Sequence, residues 1–460
     1  MVMAQVLAAA LGDGAWADRV SVRGAADLAA AVPVADLAAA SVAAASLAAQ
    51  RLAVARARGR EVGATDVTPV VIDADRLTTA YRSEQVFRLD GKAPDVWAAG
   101  SGYFQAADGW VRTHGNYPHH AAALERVLGL AAGADRVQVA AAIRQRQSQD
   151  LEDAAAAAGA LIVRVRTSEQ WAAHPQHAAI AMLSLLRFGE ARPGASPLPA
   201  SGGLPLDGVR VLDFTRVIAG PVATRTLARF GAEVLRIDSP RLPEIRWQYL
   251  DTGLGKRSAA LDLDSAEGRA RLEALLTEAD VVVTGYRPGA LTRFGLDAAS
   301  LAERYPGLVV ASVDAWGPSG PWASRRGFDS LVQAASGIAM LQARDGVPGA
   351  LPAQALDHSA GYLLAAGIMR ALAERQLHGT VRSVAVSLAG VAEVLLAARS
   401  QPTTVPTATS DAWRTAIETH PLPGGEVVTI AASPLLLAGA PAPSMHLAMA
   451  DYRADTATWH

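Results

Sequence analysis

Residues 209–238 read VRVLDFTRVIAGPVATRTLARFGAEVLRID. A short apolar run (209–214), a helix-forming stretch (223–230) and a second apolar run (232–238) make a βαβ unit of the usual size. The alternation continues. SAALDLD (258–264) reads as a strand, SAEGRARLEALLTEA (265–279) as a helix, and DVVVTGY (280–286) and LVVASVDAW (308–316) as further strands. Strands separated by helices cannot be joined by tight hairpins, so the expected fold is α/β: an open, parallel, Rossmann-like sheet with helices on both faces. Ligands of such sheets bind at the strand C-termini.

Working outward, ARPGASPLPASGGLPLDG (191–208) has the Pro/Gly/Ser composition of a linker. Upstream, alanine-rich runs suit helices, and GYFQAADGWVRTHG (102–115) suits a β-hairpin turning at Asp108-Gly109. The expected organisation is a partial repeat unit (1–90), a smaller α+β domain (91–190), the linker, a large α/β domain (209–397) and a C-terminal segment (398–460) returning to it.

Two segments resemble each other: PVADLAAASVAAASLAAQRLAVARARG (33–59) and AQALDHSAGYLLAAGIMRALAERQLHG (353–379). Each has an Asp, an alanine-rich helix, a basic end and a closing Gly, and the Asp-to-Gly spacings are 23 and 22 residues. A strand-like run follows in both, TPVVIDADRL and RSVAVSLAGV. An internal duplication is expected.

Composition excludes several classes of function. With 460 residues and 51% hydrophobic against 19% charged, the chain can bury more than one core and is not disordered. A net charge of −2 supplies no basic footprint, so neither nucleic acid nor an anionic membrane is an expected partner. The absence of cysteine removes disulfides, Fe–S clusters and thiol catalysis, in keeping with a cytoplasmic protein. The apolar N-terminal stretch lacks a preceding basic residue and is broken by Asp13, which argues against a signal peptide. No metal site is expected.

The first βα turn, TRVIAGPVATRT, lacks G-x-G-x-x-G, which removes the usual dinucleotide fingerprint. Gly220-Pro221 still opens a helix whose free N–H groups either receive an anion or are simply capped. Only two lysines occur, and Lys256 stands beside Arg257 in a Gly-Lys-Arg turn that reads equally as a phosphate cradle or a solvated loop. Tyr286-Arg287-Pro288-Gly289 and Arg293 add basic groups after another strand, which favours a polyanionic ligand. Asp357 starts a long apolar helix, where an N-cap is the ordinary role, as it is for Asp36. Asp238 ends a strand where a ribose-binding acid would stand, and it is given no role.

Taken in order, 204–238, GKRSAALDLDSAEGR (255–269), ADVVVTGYRPGALTRFGL (279–296), GPSGPWASRRGFDSLVQAASG (317–337) and ALDHSAG (355–361) resemble the class III CoA-transferases. That family includes carnitine and formyl-CoA:oxalate CoA-transferases and the α-methylacyl-CoA racemases. The resemblance covers about 204–397 and implies a cleft for coenzyme A or acyl-CoA, bound as substrate with no permanent cofactor. Carried over by position, it implies CoA contacts at Ile218, Ala219, Leu254, Gly255, Lys256 and Arg257. Gly285, Tyr286, Arg287 and Arg293 continue the cleft, and Arg326, Gly327, Phe328 and Asp329 close it. Asp357 falls at the position of the nucleophilic aspartate.

The resemblance also exposes departures. Ser239 stands at a position often held by a CoA-binding Arg, Ile218 where oxalate-type members carry Gln, and Phe328 where the family has Tyr or His. The small domain, which normally follows the first part of the sheet, is matched upstream instead, by 101–129 and 169–181, and 421–446 resembles the family's C-terminal segment. The chain thus resembles a rearranged or truncated tandem form. The implied reaction exchanges CoA between an acyl-CoA and a small carboxylic acid through an aspartyl anhydride and an aspartyl-CoA thioester. An acyl-CoA racemase or isomerase and a catalytically impaired CoA-binding protein are the alternatives. A homodimer is expected, and 102–117 is expected to wall the Asp357 site, from the same chain or across the dimer.

Overall fold

The computed structural model describes residues 2–199, 201, 203–399, 411–444 and 447–460. Residues 400–410 of the expected C-terminal segment, and Met445 and His446, lie outside the described residues. At the centre is a seven-stranded sheet running Lys256–Ala260, Glu233–Asp238, Arg210–Phe214, Val281–Thr284, Val309–Asp314, Val384–Ser387 and Leu186–Phe188. Its first six strands are parallel, and Leu186–Phe188 closes the edge antiparallel to Val384–Ser387. In chain order the parallel strands lie 3-2-1-4-5-6, the doubly wound arrangement. Val211, Val281, Val283, Val309 and Ala311 are fully buried, as strands covered on both faces must be.

One strand of this sheet comes from the upstream region, so the boundary expected at 209 does not separate independent units. The 191–208 stretch is not a free tether either. Arg192–Pro193 pairs with Thr380–Val381, the Leu198 N–H bonds Gln376 at 3.0 Å, and Leu206 is fully buried. The C-terminal region divides. Ile417–Pro421 and Val427–Ala431 form a three-stranded sheet with Arg88–Leu89, whereas 453–460 runs along the Lys256–Ala260 edge.

The expected hairpin is present as Gly102–Ala106 and Gly109–Thr113, joined by Ile162–Arg164. Its Tyr103 and Trp110 pack against Val165, Ala334 and Ala339, while Trp97 stays 45% exposed beneath Arg112.

The two alanine-rich segments fold alike. Helix Val34–Arg58 starts after Pro33 at φ −75°, ψ 65°, and helix Ala355–His378 after Gln354 at φ −75°, ψ 64°. Both end on a left-handed glycine, Gly59 and Gly379. Both lead to a strand paired in parallel with the strand before the helix, and the strand's last side chain, Asp73 or Ser387, caps the next helix. The two helices pack along each other, and the small alanine side chains permit their close approach. Helix Val34–Arg58 is also long and apolar enough to cross a membrane, but most of it is buried inside the fold.

The repeats diverge in burial. Asp36 and Asp357 are each the third residue of their helix, yet Asp36 is exposed whereas Asp357 is 6% exposed. Asp36→Asn should therefore leave both the thermal midpoint and any turnover unchanged. A substantial loss of either would give the upstream copy a role that its exposure does not suggest.

Candidate functional site

Between the strands Arg210–Phe214 and Val281–Thr284 the chain order reverses, and crevices form at such a point above the strand C-termini. A cavity of about 440 Å³ lies there. It follows the sheet edge from Leu261 and Leu263, beyond the third strand, to Leu388, beyond the sixth. Five strand spacings make this roughly 24 Å. The trough suits a long ligand better than a compact one.

Nine of the residues implied by the sequence line this cavity: Ala219 at the first βα turn, Gly285, Tyr286 and Arg287 after the fourth strand, Arg293, Arg326, Gly327, Phe328 and Asp357. Six do not. Ile218 caps helix Ala219–Arg229 and packs against the core. Leu254 is buried among Phe87, Tyr249 and Leu422. The Gly255 N–H bonds the Ala448 carbonyl at 2.9 Å, which places the C-terminal segment over it.

The Gly-Lys-Arg turn opens a strand and so sits at the N-terminal edge of the sheet, opposite the crevice. Lys256 is 2% exposed, with Nζ 3.2 Å from Asp213 Oδ2 and 2.8 Å from the Pro221 carbonyl. Burial pulls its ammonium down to about 8 against the favourable charge of Asp213. Arg257 donates to the Thr458 carbonyl at 2.6 Å and lies 3.5 Å from Glu233. Both cations are thus engaged internally.

Asp329 is off the wall but next to it. Its Oδ2 accepts the N–H groups of Leu356 at 2.8 Å and Asp357 at 3.0 Å, and Gln333 donates to Oδ1. It therefore fixes the first turn of helix Ala355–His378. Burial raises its carboxyl to about 6, with those three donors pulling the other way. Asp357 is raised well above the carboxylate range, first by burial and then by the charge of Asp329. No described side chain donates a hydrogen bond to its carboxylate or pairs with it. Its helix is pressed onto helix Ala219–Arg229: a Cβ on Gly361 would lie 2.5 Å from the Ala219 oxygen. Hence Asp357 faces the first βα turn.

That turn is strained. Val217 lines the cavity at φ 71°, a region that β-branched residues avoid. Its N–H is held by Glu244 Oε2 at 3.1 Å. Glu244 also meets Arg236 at 3.1 Å and Arg216 at 3.5 Å and accepts the Tyr117 hydroxyl. Burial would raise the Glu244 carboxyl, but Arg236 and Arg216 outweigh it and hold the group below its usual range.

Of the stretch 102–117, Tyr117 itself lines the cavity, joined by His119 and His120 just beyond it. His114 stacks on the far side, its ring parallel to Phe328 with centroids 3.8 Å apart. Tyr117, His119 and His120 of this chain thus form part of the wall.

The sequence reading missed Arg216, Arg241 and Arg325, which also line the cavity. Each stands within three residues of a strand end or beside a residue already singled out, and that was the available signal. Ser239 lines the cavity too. Arg241 and Arg293 both pair with Asp264, the latter at 3.0 Å. His358 is fully buried against Tyr81, with neither ring nitrogen partnered, and lies off the cavity. Among the described residues no group of three or more His, Asp or Glu is placed to hold a metal ion.

Residues 206–422 match the family model for CoA-transferase family III. The "Probable fatty acyl-CoA transferase Rv3272" of Mycobacterium tuberculosis is 34% identical over 202 residues, covering 41% of this chain and 51% of the relative. A formyl-CoA:oxalate CoA-transferase of Rhodopseudomonas palustris (strain BisB18) is 35% identical over 196 residues, covering 40% and 46%. The crystal structure of Rv3272 aligns over 42% of this chain and 57% of its own, at 35% identity and a TM-score of 0.41. This chain spans about half the length of the curated relatives it matches.

Proposed function

We propose that this chain, whose residues 206–422 match the model for CoA-transferase family III, moves coenzyme A from an acyl-CoA to a carboxylic acid, with Asp357 as the nucleophile. Asp357, whose burial favours the protonated acid, first releases that proton to solvent; a carboxylate oxygen then attacks the thioester carbonyl, the C–S bond breaks, and a mixed anhydride and CoA thiolate result. The thiolate then attacks the Asp357 carbonyl of that anhydride, releasing the donor acid and leaving an aspartyl-CoA thioester. The acceptor carboxylate reverses both steps: it displaces the thiolate to form a new anhydride, and the thiolate takes the acceptor's acyl group and frees Asp357. Two acyl transfers replace one difficult exchange.

The observation that carries this reading is the burial of Asp357 in the wall of a long crevice, with no described donor satisfying its carboxylate, while its counterpart Asp36 lies in solvent. An under-solvated carboxylate is a stronger nucleophile than a hydrated one. The arginines support a polyanionic substrate: Arg216, Arg241, Arg287, Arg293, Arg325 and Arg326 all line the cavity, Arg216 also paired with Glu244 and Arg241 and Arg293 with Asp264. CoA chemistry comes here from the family match and the names of the relatives, and the acids exchanged are left to the assay. Calorimetry should show CoA binding, and hydroxylamine added during turnover of mixed acyl-CoA donors and acids should modify Asp357. CoA binding with no exchange for any succinyl, acetyl or formyl donor would instead favour a non-catalytic binding protein.

A second reading, proton exchange at the α-carbon of the acyl group, draws on His119 and His120 in the wall, since Phe328 carries no proton and His358 is off the cavity. Deuterium entering a 2-methylacyl-CoA from heavy water would favour it over transfer.

A further inference from the structure

A second cavity, of about 490 Å³, lies beside the first, between the 156–163 stretch and the loop 316–326. The two share a wall of three arginines, Arg287, Arg325 and Arg326. Elsewhere around the crevice arginines are matched with carboxylates: Arg216 and Arg236 with Glu244, Arg241 and Arg293 with Asp264. These three are not. Arg326 makes one long hydrogen bond, Nη1 to the Gly159 carbonyl at 3.4 Å, and Arg325 lies over the Trp322 ring at 4.8 Å. Neither these two nor Arg287 forms an ion pair among the described residues, although Glu152 and Asp153 lie close enough to Arg325 to favour its charge. The nearest buried acid, Glu152, is already gripped by both Nη atoms of Arg166, at 2.8 and 2.7 Å. Burial and the proximity of Arg287 both disfavour the charge on Arg326. Arg287 and Arg326 are exposed and Arg325 is half-buried, so the three converge as donors open to an anionic ligand, which they would hold by charge-assisted hydrogen bonds.

The remainder of the cavity is of different character. Trp316 and Trp322, edge to face with centroids 4.8 Å apart, form one side, and the small residues Ala156, Ala157 and Ala160 the other. An anionic head beside an indole floor describes a carboxylic acid with an apolar or aromatic body, whereas a bare phosphate would use only the arginines.

We propose that this second cavity binds a carboxylic acid, its carboxylate on Arg325 and Arg326 and its body against Trp316 and Trp322, and is the port through which the acid partner reaches the CoA crevice. The port role rests on the transferase reading; the binding site does not.

The test is a tryptophan-fluorescence titration with phenylacetate, run on the intact protein with and without saturating CoA, and in parallel with inorganic phosphate. Saturable quenching by phenylacetate that persists with CoA bound is expected, with phosphate a weaker competitor. Arg325→Gln should weaken phenylacetate at least about ten-fold, Arg325→Lys should recover part of that loss, and Ala157→Leu should weaken it by narrowing the opposite side. Absence of quenching, or quenching abolished by CoA, would overturn the second site. Phosphate binding as tightly as phenylacetate would overturn the carboxylic-acid assignment. CoA affinity is measured separately by calorimetry, so a failure of CoA to bind defeats the transferase reading and the port role, while a failure of phenylacetate with CoA binding intact defeats this inference alone.

Discussion

Asp357→Asn is expected to abolish CoA transfer, by on the order of 10⁴-fold or more, while raising the thermal midpoint at neutral pH. The amide keeps the shape of the side chain and cannot form the anhydride. The stability effect follows from the raised carboxyl of Asp357, due first to burial and then to Asp329. Because the folded protein holds that proton more tightly than the unfolded chain, the associated stability is complete below the ordinary carboxylate range. It is lost as pH rises through the raised value. Asn does not titrate, so the variant's advantage should be absent at pH 4 and should grow towards pH 8. Asp329, with three donors on its oxygens, is the member of the pair that ionises more readily and keeps the pressure on Asp357. Thermal melts at the two pH values, together with a transfer assay, check both halves. Retained turnover would remove Asp357 as nucleophile, and a midpoint lowered at pH 8 would contradict its under-solvated state.

Arg236→Met should be the most damaging single change outside the cavity. Arg236 is 1% exposed and holds Asp238 at 2.8 and 2.9 Å and Glu244 at 3.1 Å. Methionine leaves buried Asp238 without its cation and Glu244 with only the longer contact to Arg216 at 3.5 Å, and breaking such a buried pair costs about 3–5 kcal/mol. That is a large fraction of the stability of an ordinary domain. The loss should extend to the site, because Glu244 fixes both Val217 and Tyr117. Stranded carboxylates take up protons more readily in the folded state, so the deficit should shrink as pH falls from 7 to 5. Urea midpoints at both pH values measure this. A deficit below about 1 kcal/mol, or one independent of pH, would show that the network is not held together by Arg236.

Asp238 also illustrates how far the sequence could be read. At the end of the second strand it has the position of a ribose-binding acid, and the sequence gives no reason to choose between that role and an incidental one. The folded chain makes it the partner of Arg236, two residues earlier on the same strand. Arg257 is similar: its local sequence suggests a phosphate cradle, and only the return of residues 455–458 to that sheet edge shows what occupies it.

The sequence by itself determined the order of strands and helices in residues 209–397, because burial on both faces demands uninterrupted apolar runs and each crossover demands a helix, and both are local patterns. It also indicated that the turns after Phe214, Asp238 and Thr284 face the crevice, since the C-terminal ends of parallel strands share one edge, but it placed the Gly-Lys-Arg turn there too, although that turn opens a strand and lies at the opposite edge. Tertiary structure decided which polar groups at those turns are available. Lys256 is taken by Asp213, Arg241 and Arg293 share Asp264, and Arg287, Arg325 and Arg326 form no ion pair among the described residues. The two alanine-rich helices show the division most directly. Their caps agree within a few degrees, because caps depend on neighbours in the chain. Asp36 is in solvent and Asp357 is buried, because solvation depends on neighbours in space: the second aspartate sits over Asp329 and against the first βα turn at Ala219.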